Sequence, residues 1–122
     1  MINPRRAFGD MGERLATHHL EAKGYRIVER NYRRAEGEID IIAAQDGTLV
    51  FAEVKCRRGA SHGSAREAIT PAKAERLALL AEAYAGDHAP DAALRIDLIA
   101  IDFAEDGRML SLKHHENAVT GD

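Results

Sequence analysis

Tryptophan is absent from this chain, and three tyrosines and three phenylalanines are its only benzenoid aromatics. That is too few for a platform on which nucleic-acid bases stack. Cys56 is the single cysteine, which excludes an internal disulfide and the stapled scaffolds of small secreted proteins. No apolar run approaches the length of a membrane span, and the N-terminus lacks the apolar core of a signal peptide. Repeats, low-complexity tracts and obvious linkers are missing. The six histidines fall at no metal-ligand spacing. His18-His19 and His114-His115 are adjacent pairs, whose members do not share a helix or strand face, and all six read as structural or solvated. There is no Gly-rich phosphate loop and no Ser-His-Asp motif. Together these absences give the expectation of a cytoplasmic protein with no membrane partner.

The 122 residues suffice for one domain with a proper core and are too few for two, so a single domain over 1–122 is expected. The net charge of −3 argues against indiscriminate nucleic-acid binding. Its distribution softens that objection, because residues 1–76 carry +3 and residues 77–122 carry −6.

A first helix is predicted from Arg5 to Lys23, with Gly24 as its C-terminal stop. Tyr25 to Arg33 reads as a strand. Glu38 to Ala44 and Leu49 to Arg57 read as the arms of a hairpin, with Asp46-Gly47 as its two-residue turn. A flexible loop follows over Gly59 to Ser64. Thr70 and Pro71 open a second helix as N-cap and first helical residue, and that helix ends near Gly86. Leu94 to Phe103 and Met109 to His114 are the last strands. The order is α-β-β-β-α-β-β, which implies an α/β fold with a mixed central sheet flanked by helices.

The hairpin carries the chemistry. With Asp46-Gly47 at its tip, Gln45 faces Thr48, Ile42 faces Phe51, Asp40 faces Glu53 and Glu38 faces Lys55. All these side chains point to one side. Two carboxylates directly opposite each other, roughly 5 Å apart at Cβ, destabilise a hairpin. A divalent cation between them reverses that sign. Carboxylate oxygens with open water positions suit Mg²⁺ or Mn²⁺ better than zinc. Lys55 could orient an attacking water or stabilise charge developing on a phosphate. Its bland role is a salt bridge to Glu38. A solvated strand face accounts well for Glu38 opposite Lys55 and poorly for Asp40 opposite Glu53.

Glu13 shares a helical line with Gly9, Ala16 and Leu20, which places a carboxylate against the rest of the protein. Alone it would read as an acid at the edge of an amphipathic stripe. Lys73 aligns with Leu77, Leu80 and Tyr84 at the start of the second helix, where a cation suits a phosphate. A lysine snorkelling from an apolar edge is an equal reading. Arg57, Arg58, Arg66 and Arg76 flank the same region and give a track for a phosphate backbone. Arg95 and Asp97 share a strand face and read as a structural ion pair. Cys56, on the face opposite Glu53, reads as a buried thiol.

Glu13, Gly37-Glu38-Ile39-Asp40 and Glu53-Val54-Lys55 resemble the PD-(D/E)xK nuclease superfamily. The match extends through Gly12 to Ala16, Gly24-Tyr25, Arg30 to Arg33, Phe51 to Lys55 and Glu67 to Thr70. It continues through Lys73, Ala83-Tyr84, Arg95 to Asp97 and Asn117-Ala118, and so covers nearly the whole chain. In this order the segments resemble the small bacterial YraN family. Departures are Cys56, where the family often has a hydroxyl residue, and Ile96, where Phe is common. The resemblance implies a restriction-endonuclease-like α-β-β-β-α-β core, similar to Holliday junction resolvases. It implies that Glu13, Asp40 and Glu53 bind Mg²⁺ or Mn²⁺ and that Lys55 assists hydrolysis. The expected function is a metal-dependent endonuclease on DNA, with branched DNA among its substrates and a homodimer on the bound substrate. The rival expectation is a nucleic-acid-binding or assembly module that keeps the fold without catalysis.

Overall fold

The computed structural model describes residues 4–59 and 69–118. The elements run α1 (Pro4–Ala22), β1 (Arg26–Arg34), β2 (Gly37–Gln45), β3 (Thr48–Arg58), α2 (Pro71–His88), β4 (Ala93–Phe103) and β5 (Met109–His115). They form the expected mixed α/β core, with the boundaries shifted by a residue or two. Residues 60–68, which hold most of the loop expected over Gly59 to Ser64 and also Arg66, lie outside the described residues.

Local chemistry sets the ends of the elements. Gly24 takes φ 92° just past α1, and the Tyr25 N–H returns to the Leu20 carbonyl at 3.0 Å. This is the left-handed helix stop that glycine adopts at least cost. At α2 the Thr70 hydroxyl accepts the Lys73 N–H at 3.2 Å, and Pro71 follows it as predicted. Asp46 and Gly47, at φ 49° and 80°, turn β2 into β3 and set Gln45 opposite Thr48. Positive φ at both positions is the primed hairpin turn the sequence announces.

The five strands stand in chain order, β1-β2-β3-β4-β5. All neighbours are antiparallel except β3 and β4, which are parallel. A parallel neighbour requires a crossover, and α2 lies in that connection. Alternation along β3 then builds a core on each face. Val50 and Ala52 join Ala16 and Leu20 of α1, with Ile41, Ala43, Ile99 and Ile101. Leu49 and Phe51 join Leu77, Leu80, Ala81 and Tyr84 of α2, with Ile39 and Ile42.

Alternation fails at one place in β2. Ile39 packs under α2 but Ile41 under α1, although residues two apart should share a face. Across from this step, between the pairs Arg30↔Ile41 and Tyr32↔Ile39, Asn31 takes φ 55°. A second irregularity lies between Ile27 and Glu29. The kink centres on Asp40.

On β4 the ion pair expected of Arg95 and Asp97 is present. Asp97 is fully buried and accepts two guanidinium bonds from Arg95 at 2.9 Å, His114 Nε2 at 2.7 Å and the Asn117 N–H at 2.9 Å. Burial alone would raise its pKa, but these bonds hold the carboxyl down at about 2. Arg95 also donates to the Tyr25 hydroxyl, which ties β4 to the end of α1.

The approach of α1 to β3 depends on Gly12. A Cβ built there would lie 2.1 Å from Cys56 Sγ, and the thiol, half-buried where a buried one was expected, packs against the α1-side core. Gly12→Ala should therefore lower the unfolding free energy by about 1–3 kcal/mol through overpacking. The loss should shrink in a Cys56→Ala background, as urea unfolding of the double-mutant cycle will read. Equal losses in both backgrounds would contradict the contact.

Candidate functional site

The β2–β3 ladder runs from Gln45↔Thr48 to Ile41↔Ala52. Beyond it β2 continues to Gly37 beside β1, and β3 continues to Arg58 beside β4. The sheet forks at this point. Asp40 stands in the fork, and its Oδ2 accepts the Val54 N–H at 2.8 Å. The side chain thus takes up a backbone donor that faces β2 where the ladder has ended.

This corrects the register expected for the lower hairpin. Ile42↔Phe51 and Gln45↔Thr48 hold, but neither Asp40 with Glu53 nor Glu38 with Lys55 is a ladder pair. Glu38 instead bonds Arg33, its cross-strand partner on β1, at 2.8 Å. Lys55 is exposed to solvent.

Asp40 and Glu53 nevertheless line the same pocket, of about 300 Å³, together with Glu36, Glu38, Lys73 and Arg76. Leu77 and Leu80 of α2 form its apolar wall. The Lys73 ammonium lies 2.6 Å from Glu53 Oε1. The expected cation at the start of α2 is therefore in the pocket, but on a carboxylate. Lys55 is not among the lining residues.

Burial, and next the charge of Glu53, push the Asp40 carboxyl up to about 7. The Val54 N–H opposes this, and Glu13 and Glu38 add to it. Asp40 thus feels acids from both faces of the sheet. Glu13 stands on α1, outside the pocket. Its Oε1 is buried without a hydrogen bond among the described residues, and Arg30 Nη2 lies 3.6 Å away. Burial raises its pKa against the pull of Arg30.

The basic track is divided. Arg76 lines the pocket with Lys73. Arg57 pairs with Asp102 at 3.0 Å, and Arg58 donates to the Glu105 carbonyl. Sequence reasoning missed the Lys73–Glu53 contact because it joins a helix to a strand across the chain. The line of Lys73 with Leu77 and Leu80 was the one signal that could have found it. Among the described residues no group of three or more His, Cys, Asp or Glu side chains is gathered as a metal site. None of the helices described is long and apolar enough to cross a membrane.

An α/β core of this order, with acids at the fork of its two central strands, has the restriction-endonuclease-like form. Residues 12–101 match the uncharacterised protein family UPF0102, which is the YraN family. The chain is 41% identical over 119 residues to a UPF0102 protein of Pelotomaculum thermopropionicum, covering 97% of this chain and 99% of that one. It is 42% identical over 121 residues to one of Roseiflexus castenholzii, covering 98% of each. A third, from Symbiobacterium thermophilum, is 46% identical over 107 residues, covering 85% of this chain and 89% of its own. The protein belongs to the UPF0102 family.

The raised Asp40 carboxyl makes stability depend on pH. Between about pH 4 and 7 the unfolded chain has released this proton and the folded chain still holds it, so its burial costs more stability as pH rises. Asp40→Asn keeps an acceptor for Val54 and removes the charge. The variant should gain about 1–3 kcal/mol over the wild type at pH 8, with the gain fading near pH 4. Urea unfolding at both pH values checks this, and a difference independent of pH would contradict it.

Proposed function

We propose that this protein is a metal-dependent endonuclease that hydrolyses phosphodiester bonds in DNA, with branched DNA the first substrate to try. The observation that carries the reading is Asp40 in the fork, half-buried beside Glu53, with its carboxyl raised to about 7. A titration displaced this far by burial and by a like charge marks functional sites more often than plain surfaces.

The donors fit a hard divalent cation. Asp40 and Glu53 offer carboxylate oxygens only, and two of them leave room for the waters that Mg²⁺ keeps. They would hold the ion, and Glu13, with its unbonded buried oxygen, would reach it through water. Such an ion supplies charge neutralisation at the phosphate and lowers the pKa of water. The chain's own residues do the rest. Asp40 must give up its proton to become a ligand, so cation binding strengthens as pH rises through 7. Lys55 follows Glu53 on the same side of β3 and would swing in to orient the attacking water. Lys73 and Arg76, at the first turns of α2, face the pocket and offer charge to the phosphate. Arg57, Arg58 and Arg66 extend this track. Two copies of the chain would be needed to cut both strands of a symmetric substrate, hence a homodimer on DNA.

The rival, a binding module without turnover, draws on the exposure of Lys55 and its place outside the pocket. One assay separates the two. Duplex, single-stranded and four-way-junction DNA are incubated with wild type, Lys55→Met and Asp40→Asn in Mg²⁺ and in Mn²⁺. An endonuclease cuts at least one substrate. Lys55→Met should then lose about a hundredfold or more in rate with metal binding kept, and Asp40→Asn should lose the metal itself. Binding without cleavage on the whole panel would overturn the enzyme and leave the module.

A further inference from the structure

Glu53 lies one-tenth exposed in the pocket with its oxygen 2.6 Å from the Lys73 ammonium. The contact could simply fasten α2 to β3. Its place in the pocket argues for more. Four carboxylates and two cations line this pocket, and Arg33 lies outside it, drawn to Glu38. Within the pocket the Lys73 ammonium is bound to an acid that a divalent cation would need.

The two ends of Lys73 are held differently. Its backbone N–H is fixed by the Thr70 cap, so the root of the side chain cannot move far. The side chain is about one-third exposed, on a flexible four-carbon stem, and grips one oxygen of Glu53. Arg95, by comparison, grips both oxygens of the fully buried Asp97. A flexible ammonium one-third open to solvent is more readily exchanged than the paired guanidinium bonds on Asp97.

We propose that Lys73 is an internal counter-ion, seated on Glu53 while the pocket lacks a divalent cation and displaced from it when one binds. The displaced ammonium stays tethered beside Arg76, where it meets a phosphate. This rests on the cation reading of the site and adds to it an order of events: the metal enters first and releases the phosphate-binding charge. Lys73 is thereby a positioning residue whose position reports the state of the site.

The test uses the full chain at pH 8, with Mn²⁺ alone as the probe. Calorimetry compares wild type with Lys73→Met, Lys73→Gln and Lys73→Arg, each checked for folding by circular dichroism. The neutral variants should bind Mn²⁺ roughly tenfold more tightly, because the ion no longer competes with a resident charge. Lys73→Arg should stay near the wild-type affinity. A purely structural salt bridge would give equal or weaker binding in Lys73→Met, and that result overturns the proposal. Lys73→Gln carries the test if Lys73→Met does not fold. Absence of Mn²⁺ binding by every chain would overturn this proposal and the cation reading together. Tighter binding by the neutral variants in a protein that cuts no DNA would uphold the counter-ion and remove only the nuclease.

Discussion

Past Ile41 and Ala52 the two central strands part company, β2 staying with β1 and β3 with β4. The Val54 N–H on the open side is taken by Asp40. Everything of interest in the molecule follows from that separation. A continuous ladder would leave no opening between the two layers, and the helices would cover two closed faces. Parting the strands while both are still held by outer neighbours makes a slot with rigid walls. The step in β2, where Ile39 turns under α2 and Ile41 under α1, sets Asp40 between the two cores.

The electrostatics come from the same geometry. In the slot Asp40 is shielded from water and feels Glu53, Glu13 and Glu38, acids that reach it from different elements. The fold tolerates this concentration of negative charge by placing cations around it. Arg33 answers Glu38, Arg30 approaches Glu13 and Lys73 answers Glu53. Asp40 has an N–H and, among the described residues, no cation of its own. It is the acid with most to gain from an added positive charge. The buried Asp97 is its opposite: with Arg95 and His114 it is fully answered, and its role is to join strands and helix.

The sequence was legible where the determinants are local. Asp46-Gly47 fixed the turn and the register of the upper hairpin, Thr70-Pro71 the start of α2, and Gly24 the end of α1. The fork was not legible. The neighbouring strand carries two irregularities, Asn31 at φ 55° and a bulge between Ile27 and Glu29. Neither shows in the alternation of Glu38 to Ala44. Extrapolating the hairpin through Asp40 and Glu53 paired two acids that are not ladder partners. They meet in a pocket across an opening, and Glu38 goes to Arg33. Lys73 was aligned with Leu77, Leu80 and Tyr84, with a phosphate-facing cation and a snorkelling stem as equal readings, but its partner lies on another element and no spacing reveals it.

The central claim is that the fork gathers Asp40 and Glu53 into one cation site. Crystals soaked in Mn²⁺ and measured at an energy where manganese scatters anomalously test it directly. The account predicts one strong anomalous peak between the Asp40 and Glu53 carboxylates, bound by both. A saturating soak that leaves the fork without a peak, or places manganese only on other residues, would contradict it.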